Sequence, residues 1–196
     1  MKTDFSEDFK KELKDIKRKG LKELTQYLES TDFFTAPAST KFHGAVEGGL
    51  AFHSLCVLDV AKHLNEILDP PLSAESVVIC SLFHDLCKAN FYVRGKRNKK
   101  IGGAWKEIET WDVKDQFPMG HGEKSVYLIQ KYMALTDEEA LAIRWHLGPF
   151  DPGTLFFYPS GGPCSQTFRD HKLAALIASA DFAASHLLEI WAVEDK

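Results

Sequence analysis

Apolar residues in the first part of the chain recur every three or four positions. Phe9, Leu13 and Ile16, then Leu21, Leu24 and Leu28, give residues 5–28 an apolar stripe, and Gly20 is the expected break between two amphipathic helices. The periodicity stops at residues 32–49, where Pro37, Gly44, Gly48 and Gly49 predict a loop. A long helix is expected from Leu50 to Leu68, stopped by Asp69-Pro70-Pro71, and a second from the N-cap residue Ser73 to about Ala89. Residues 91–118 mix aromatic, glycine and charged residues, and Trp105–Trp111 partly alternates, which predicts a loop or short β-hairpin insertion. The next helix is expected from near His121 to Met133. Thr136 and Glu139 then form a capping-box signature before a helix over Ala140–His146, closed by Gly148 and Pro149. Residues 149–168, rich in Gly, Pro and aromatics, predict a loop, and a last helix is expected over roughly Asp170 to Val193. So little strand places the chain in the all-α class.

A length of 196 residues, 44% of them hydrophobic and 27% charged, suits one domain over 1–196. Residues 1–47 form an N-terminal helical extension and loop, and 48–190 the core. No apolar run reaches the roughly 18 residues of a membrane span, so no membrane partner is expected. The N-terminal MKTDFSEDFKKELKD has no apolar signal core, and the expected compartment is the cytoplasm. Cys56, Cys80, Cys87 and Cys164 form no CxxC pair, and free thiols are expected. A net charge of −4 argues against a broad basic surface for duplex nucleic acid. Basic residues concentrate instead in Arg94–Lys100, five in seven positions.

Two acidic residues sit where acids are rare. Asp85 follows His84 at the end of the nearly continuous apolar run Val77–Phe83, and Asp181 lies in the most apolar helix of the chain, Leu173–Ala184. A buried carboxylate costs several kcal/mol unless a cation or donor faces it. No Lys or Arg lies within one turn of Asp181, which leaves a tertiary salt bridge or a metal ion. Adjacent helical residues point about 100° apart, so His84 and Asp85 bond each other poorly but can approach one ion from two sides. His53 lies in the first turns of a helix, His121 opens another within Gly120-His121-Gly122, and His146 ends the capped one. The metal ligands expected on this reading are His53, His84, Asp85, His121, His146 and Asp181. His43, His63, His171 and His186 lie in polar or helix-surface contexts and receive no role.

The order His … His-Asp … His … His … Asp resembles the HD-domain metal-dependent phosphohydrolase superfamily. The resemblance rests on GGLAFHS (48–54), SLFHDLCK (81–88), GHGEKS (120–125), RWHLG (144–148) and SADFA (179–183). It is similar to the multi-histidine, two-metal branch, and the GGLxxHS opening is similar to the HD domain of 3′-to-5′ exoribonucleases. Leu147 follows His146, where cyclic-dinucleotide phosphodiesterases of the family carry a second histidine. The resemblance implies an HD helical bundle and hydrolysis of phosphoester bonds by a metal-activated hydroxide. The substrate it implies is a small phosphorylated compound of nucleotide type: a nucleotide, a cyclic nucleotide or a single-stranded nucleic-acid end.

Imidazole and carboxylate ligands together suit one or two divalent transition ions, Mn, Fe, Co, Ni or Zn. Two ions would lie about 3.5–4 Å apart with Asp85 as the expected bridge. Lys88, three residues after Asp85, shares its helix face and is the expected catalytic and substrate-binding cation. Arg94, Lys96 and Arg97 follow the end of that helix and are expected to grip further phosphates. Phe91, Tyr92 and Trp105 offer a stacking surface. Two other readings stay open: a non-catalytic HD module that binds nucleotide or a protein partner, and an HD-fold di-iron oxygenase.

Overall fold

The first apolar stripe becomes α1 (Ser6–Leu13) and α2 (Leu21–Glu29), divided at Gly20, in a computed structural model that describes residues 4–157 and 162–189. Gly20 has φ +89°, and a Cβ there would collide with the backbone carbonyl of Tyr132, so conformation and space both demand glycine. Residues 32–48 carry no regular element, and α3 (Gly49–Glu66) follows as the longest helix. α4 (Ala74–Phe83) starts where Ser73 Oγ accepts a hydrogen bond from the Ser76 amide at 3.3 Å, a cap worth about 1 kcal/mol.

α4 stops at Phe83 rather than continuing to Ala89. Asp85 leaves helical geometry at φ −101°, ψ 19°, a single 3₁₀ turn spans Leu86–Lys88, and Ala89 is extended. Asn90 then adopts φ 55° while its amide donates to Asp32 Oδ1. That anchor turns the chain outward into the hairpin, and the helix cannot run through it.

The insertion is a regular hairpin, β1 (Tyr92–Ile101) paired antiparallel with β2 (Ala104–Val113). Its turn residues, Gly102 and Gly103, both have positive φ, 57° and 87°, as a tight two-residue hairpin requires. α5 (His121–Gln130) and α6 (Asp137–Arg144) follow. Both halves of the capping box form: Glu139 N donates to Thr136 Oγ1 at 3.2 Å and Thr136 N to Glu139 Oε2 at 2.9 Å.

Residues 149–168 are not a plain loop. Gly148–Phe150 make a 3₁₀ turn, Gly153–Phe157 a π turn, and α7 (Gly162–Asp170) an α-helix. The Gly-Pro pair at 162–163 hid this helix from the sequence. Proline is tolerated in a first turn, where its missing N–H would have no partner anyway. α8 (Lys172–Ala183) is the expected last helix, and it continues as a π turn over Ala184–Leu188. The part expected to reach 190–193 lies outside the described residues.

α3 packs against α4 and α8, and α6 packs against α4, α5 and α8. Phe9 meets Phe33, Phe34 and Phe83 edge-on at centroid distances of 5.4–5.7 Å beneath this bundle. Each such buried ring contributes about 1.5–3 kcal/mol. α5 crosses α6 closely at Gly122, where a Cβ would strike the backbone of Arg144, and this brings His121 and His146 side by side. The four cysteines are free. No helix among the described residues is long and apolar enough to cross a membrane.

Candidate metal centre

Five elements deliver one residue or pair each to a common point. His53 comes from α3, His84 and Asp85 from the break after α4, His121 from the first position of α5, His146 from just beyond α6, and Asp181 from α8. The break after α4 matters most here. His84 keeps helical backbone angles and Asp85 departs from them, and the two side chains reach the same centre from successive positions.

The Asp85 carboxylate is the hub, 2% exposed. Its Oδ1 lies 2.8 Å from His121 Nε2 and 3.6 Å from His146 Nε2. Its Oδ2 lies 3.5 Å from His84 Nε2, 3.6 Å from His53 Nε2 and 2.6 Å from Lys88 Nζ. Asp181 Oδ1 stands 3.2 Å from His53 Nε2, and His53 Nε2 is 3.2 Å from His84 Nε2. All four imidazoles thus turn Nε2 inward.

Each Nδ1 is held from outside. His84 Nδ1 bonds the Ser81 carbonyl at 2.8 Å and His146 Nδ1 the Ile143 carbonyl at 2.7 Å. His53 Nδ1 bonds Glu189 Oε1 at 2.7 Å, and His121 Nδ1 meets Cys87 Sγ at 3.3 Å. Carbonyls and carboxylates only accept, so Nδ1 of His53, His84 and His146 carries a proton, and Nε2 is the nitrogen each ring would turn to a bound cation. Imidazoles that ligate metals are held in this way.

The electrostatics follow from burial among opposite charges. Burial alone would raise Asp85, but Lys88, His84, His121 and His146 hold it well below the ordinary carboxylate range. Asp181 is lowered against its own burial by His53. Burial would lower His53, yet hydrogen bonds to Asp181 and Glu189 raise it to about 10. Burial does lower His84 and His121, whereas Asp85 raises His146 against it. Lys88 is partly buried, which would lower it, but Asp85 raises it, so it stays cationic.

The donor set passes a test of fit for a divalent transition ion. His146 Nε2 and Asp85 Oδ1 are buried without a partner in full hydrogen-bonding geometry, with His121 Nε2 2.8 Å from Asp85 Oδ1. Lone pairs that face one another inside a core are what a cation would relieve. Three-residue groups with metal-ligand spacing recur across the centre: His53, His84 and Asp85; His84, His146 and Asp181; and Asp85, Cys87 and His121.

Two neighbours of the centre were missed in the sequence. His43, set aside as lying in a polar context, has its ring 4.9 Å from that of His53, and its Nε2 is buried without a partner. Burial, with the charges of His53 and Lys88, lowers it to about 4. Glu189 is fully buried and forms a fourth candidate group with His43 and His53. A signal for Glu189 was available: an acid in Leu187-Leu188-Glu189-Ile190-Trp191, the same anomaly that marked Asp181. His43 left none, because its loop has no period to violate. Elsewhere His63 pairs with Asp59, His171 faces Glu138 and His186 stacks on Phe182.

The basic run reaches the centre only at its root. Tyr92 Oη bonds the Ala38 carbonyl at 3.3 Å and is close enough to feel the charge of Lys88. Farther out, Arg94 lies over Trp111 and pairs with Glu47, Lys96 pairs with Glu107, and Arg97 with Asp112. No contact among the described residues joins these three to the histidines. Trp105 stands at the hairpin tip, 72% exposed.

No solved structure matches the chain. The family model for the HD domain matches residues 50–181, a span that begins at the start of α3 and ends on Asp181. The chain belongs to the HD-domain family, whose superfamily is that of the metal-dependent phosphohydrolases.

Proposed function

We propose that this chain hydrolyses a phosphoester bond in a nucleotide-type substrate at a metal centre held by His53, His84, Asp85, His121, His146 and Asp181. The observation that carries this reading is the division of labour at Asp85. Oδ1 faces His121 and His146, while Oδ2 faces His53 and His84, with Asp181 beside His53. A carboxylate placed between two sets of imidazoles suits a bridge between two ions, and this donor set favours Mn, Fe, Co, Ni or Zn. Bound there, such ions supply a water of lowered pKa and neutralise charge on the phosphoryl oxygens.

The chain's own groups do the rest. Lys88, protonated and 2.6 Å from Asp85 Oδ2, is placed to exchange part of that contact for a phosphate oxygen. Its charge then opposes the negative charge that grows on the phosphoryl group as water adds to phosphorus and the ester oxygen leaves. Arg94, Lys96 and Arg97 are offered as a second ring of phosphate contacts. To serve, each must exchange a carboxylate partner for the substrate.

The test is elemental analysis of dialysed protein followed by an activity screen. Retention of a first-row transition ion, with metal-dependent release of phosphate or nucleotide from nucleotides, cyclic nucleotides or labelled single strands, is the expected result. Protein that neither holds nor rebinds such an ion would overturn the reading and favour a non-catalytic binding module.

A further inference from the structure

Beside His146, an apolar cavity of about 380 Å³ opens between the turn after α6 and the face of α8. Its volume falls within the range of small-molecule sites. The imidazole of His146 belongs to both places: it lines the cavity, and its Nε2 stands 3.6 Å from Asp85 Oδ1. Phe150, Phe168 and Phe182, the residue after Asp181, are its aromatic lining, with Phe150 and Phe182 as two walls. The floor is Ala175, Ala178 and Ser179, side chains too short to fill the space.

The two walls are parallel. The Phe150 and Phe182 rings lie 6° apart in orientation with centroids separated by 5.9 Å, whereas Phe9 meets Phe33 and Phe83 at 74°. Both wall rings are also left wet, 60% and 49% exposed, at a considerable loss of burial. A planar ring held between two others needs their planes about 7 Å apart, twice the roughly 3.4 Å spacing of stacked bases. Phe150 sits on a one-turn 3₁₀ segment with its side chain in solvent, so its ring can swing away from Phe182 to admit one.

We propose that this cavity is the subsite for the planar heteroaromatic part of the substrate, a nucleobase clamped between Phe150 and Phe182 while its phosphate lies at the metal centre. The placement of the phosphate rests on the phosphohydrolase reading above; the clamp itself does not. The lining is almost wholly apolar, with Ser179 its one hydroxyl-bearing side chain, so it holds a base by its faces and not by its edge pattern. Stacking of this kind tolerates every base and favours the larger purines. It takes one base, that of the nucleotide being cleaved.

The probe is 2-aminopurine riboside 5′-monophosphate with zinc-loaded protein, because its fluorescence is quenched on stacking. Saturable quenching is expected, at least tenfold weaker in Phe150→Leu/Phe182→Leu and in the same direction for Phe150→Leu alone. Phe182→Tyr should restore it. Ribose 5-phosphate, which lacks a base, should compete equally for wild type and variant, and zinc content and melting temperature should be unchanged. Phosphate release from nucleotide and from ribose 5-phosphate is read separately. If wild type turns over neither substrate but still quenches the probe, the hydrolytic reading fails and the clamp stands. If the double-leucine variant binds the probe as tightly as wild type, or wild type fails to quench it, the clamp is overturned and any hydrolysis is unaffected.

Discussion

His53 Nδ1 lies 2.7 Å from Glu189 Oε1, and both side chains are buried. The pair links α3 to the segment that follows the π turn at Ala184–Leu188. It fixes the ring of His53 so that Nε2 meets Asp181 and Asp85. Glu189 therefore acts on the centre through His53. Glu189→Gln keeps an acceptor oxygen but loses the charge, and it should weaken metal affinity about tenfold; Glu189→Ala should approach a hundredfold. Metal titration monitored by calorimetry reads this directly. Equal affinities for wild type and both variants would reduce Glu189 to a structural partner.

Asp85→Asn replaces one of the two inward oxygens by an amide nitrogen, which cannot bind a cation and repels Lys88. The expected result is loss of at least one ion per chain and a fall in turnover of about a hundredfold or more, which corresponds to about 2.7 kcal/mol. Cooperative thermal unfolding should persist, because the helices that surround the site bury apolar side chains that the change does not touch. Wild-type metal content in this variant would remove Asp85 from its place as the bridge.

Much of this centre was legible because a charge in an apolar run is visible in one dimension. Asp85 and Asp181 each break a hydrophobic helix, and His53, His121 and His146 each sit at or near a helix end, which caps and glycines mark. What the sequence concealed has a common cause. His43 lies in a loop held by contacts distant in sequence, and the parallel walls Phe150 and Phe182 meet only because α8 passes the turn after α6. α7 was concealed by its own Gly-Pro start. The segment after the break in α4 is tied by the Asn90–Asp32 contact, which joins residues 58 apart in the sequence.

The hairpin charges divide into two classes. Arg94, Lys96 and Arg97 each pair with a carboxylate, while Lys99, Lys100 and Lys106 make no ion pair among the described residues. Lys99 and Lys106 even face each other across the two strands, an arrangement that favours an anion between or beside them. If a single-stranded end is a substrate, Lys99→Gln/Lys100→Gln/Lys106→Gln should lower the slope of log affinity against log salt by about 2. Lys96→Gln/Arg97→Gln should lower it less, because those cations are already partly neutralised. Fluorescence anisotropy with a labelled oligonucleotide across a salt series distinguishes the two. Equal slopes for all three proteins would make the hairpin a solvated arm with no role in binding strands.

Glu139 offers a pH test away from the metal centre. It is fully buried, accepts from the Thr136 amide and pairs with Arg18 Nη1 at 2.6 Å. Burial alone would raise its carboxyl, but the Arg18 and Thr136 hydrogen bonds bring it below the ordinary value of 4.5. A carboxylate whose folded pKa is depressed contributes stability that is complete above its unfolded pKa and is lost as pH falls through the folded one. Glu139→Gln should therefore cost about 2 kcal/mol at pH 7, the scale of a hydrogen bond to a charged group. The gap to wild type should narrow as pH falls below 4.5. The pair is largely shielded from solvent, so the cost at pH 7 should change little between low and moderate salt. Urea unfolding of both proteins from pH 7 down to pH 3 measures the gap. A gap that stays constant over that range would show that ionised Glu139 gains nothing from Arg18 in the folded chain.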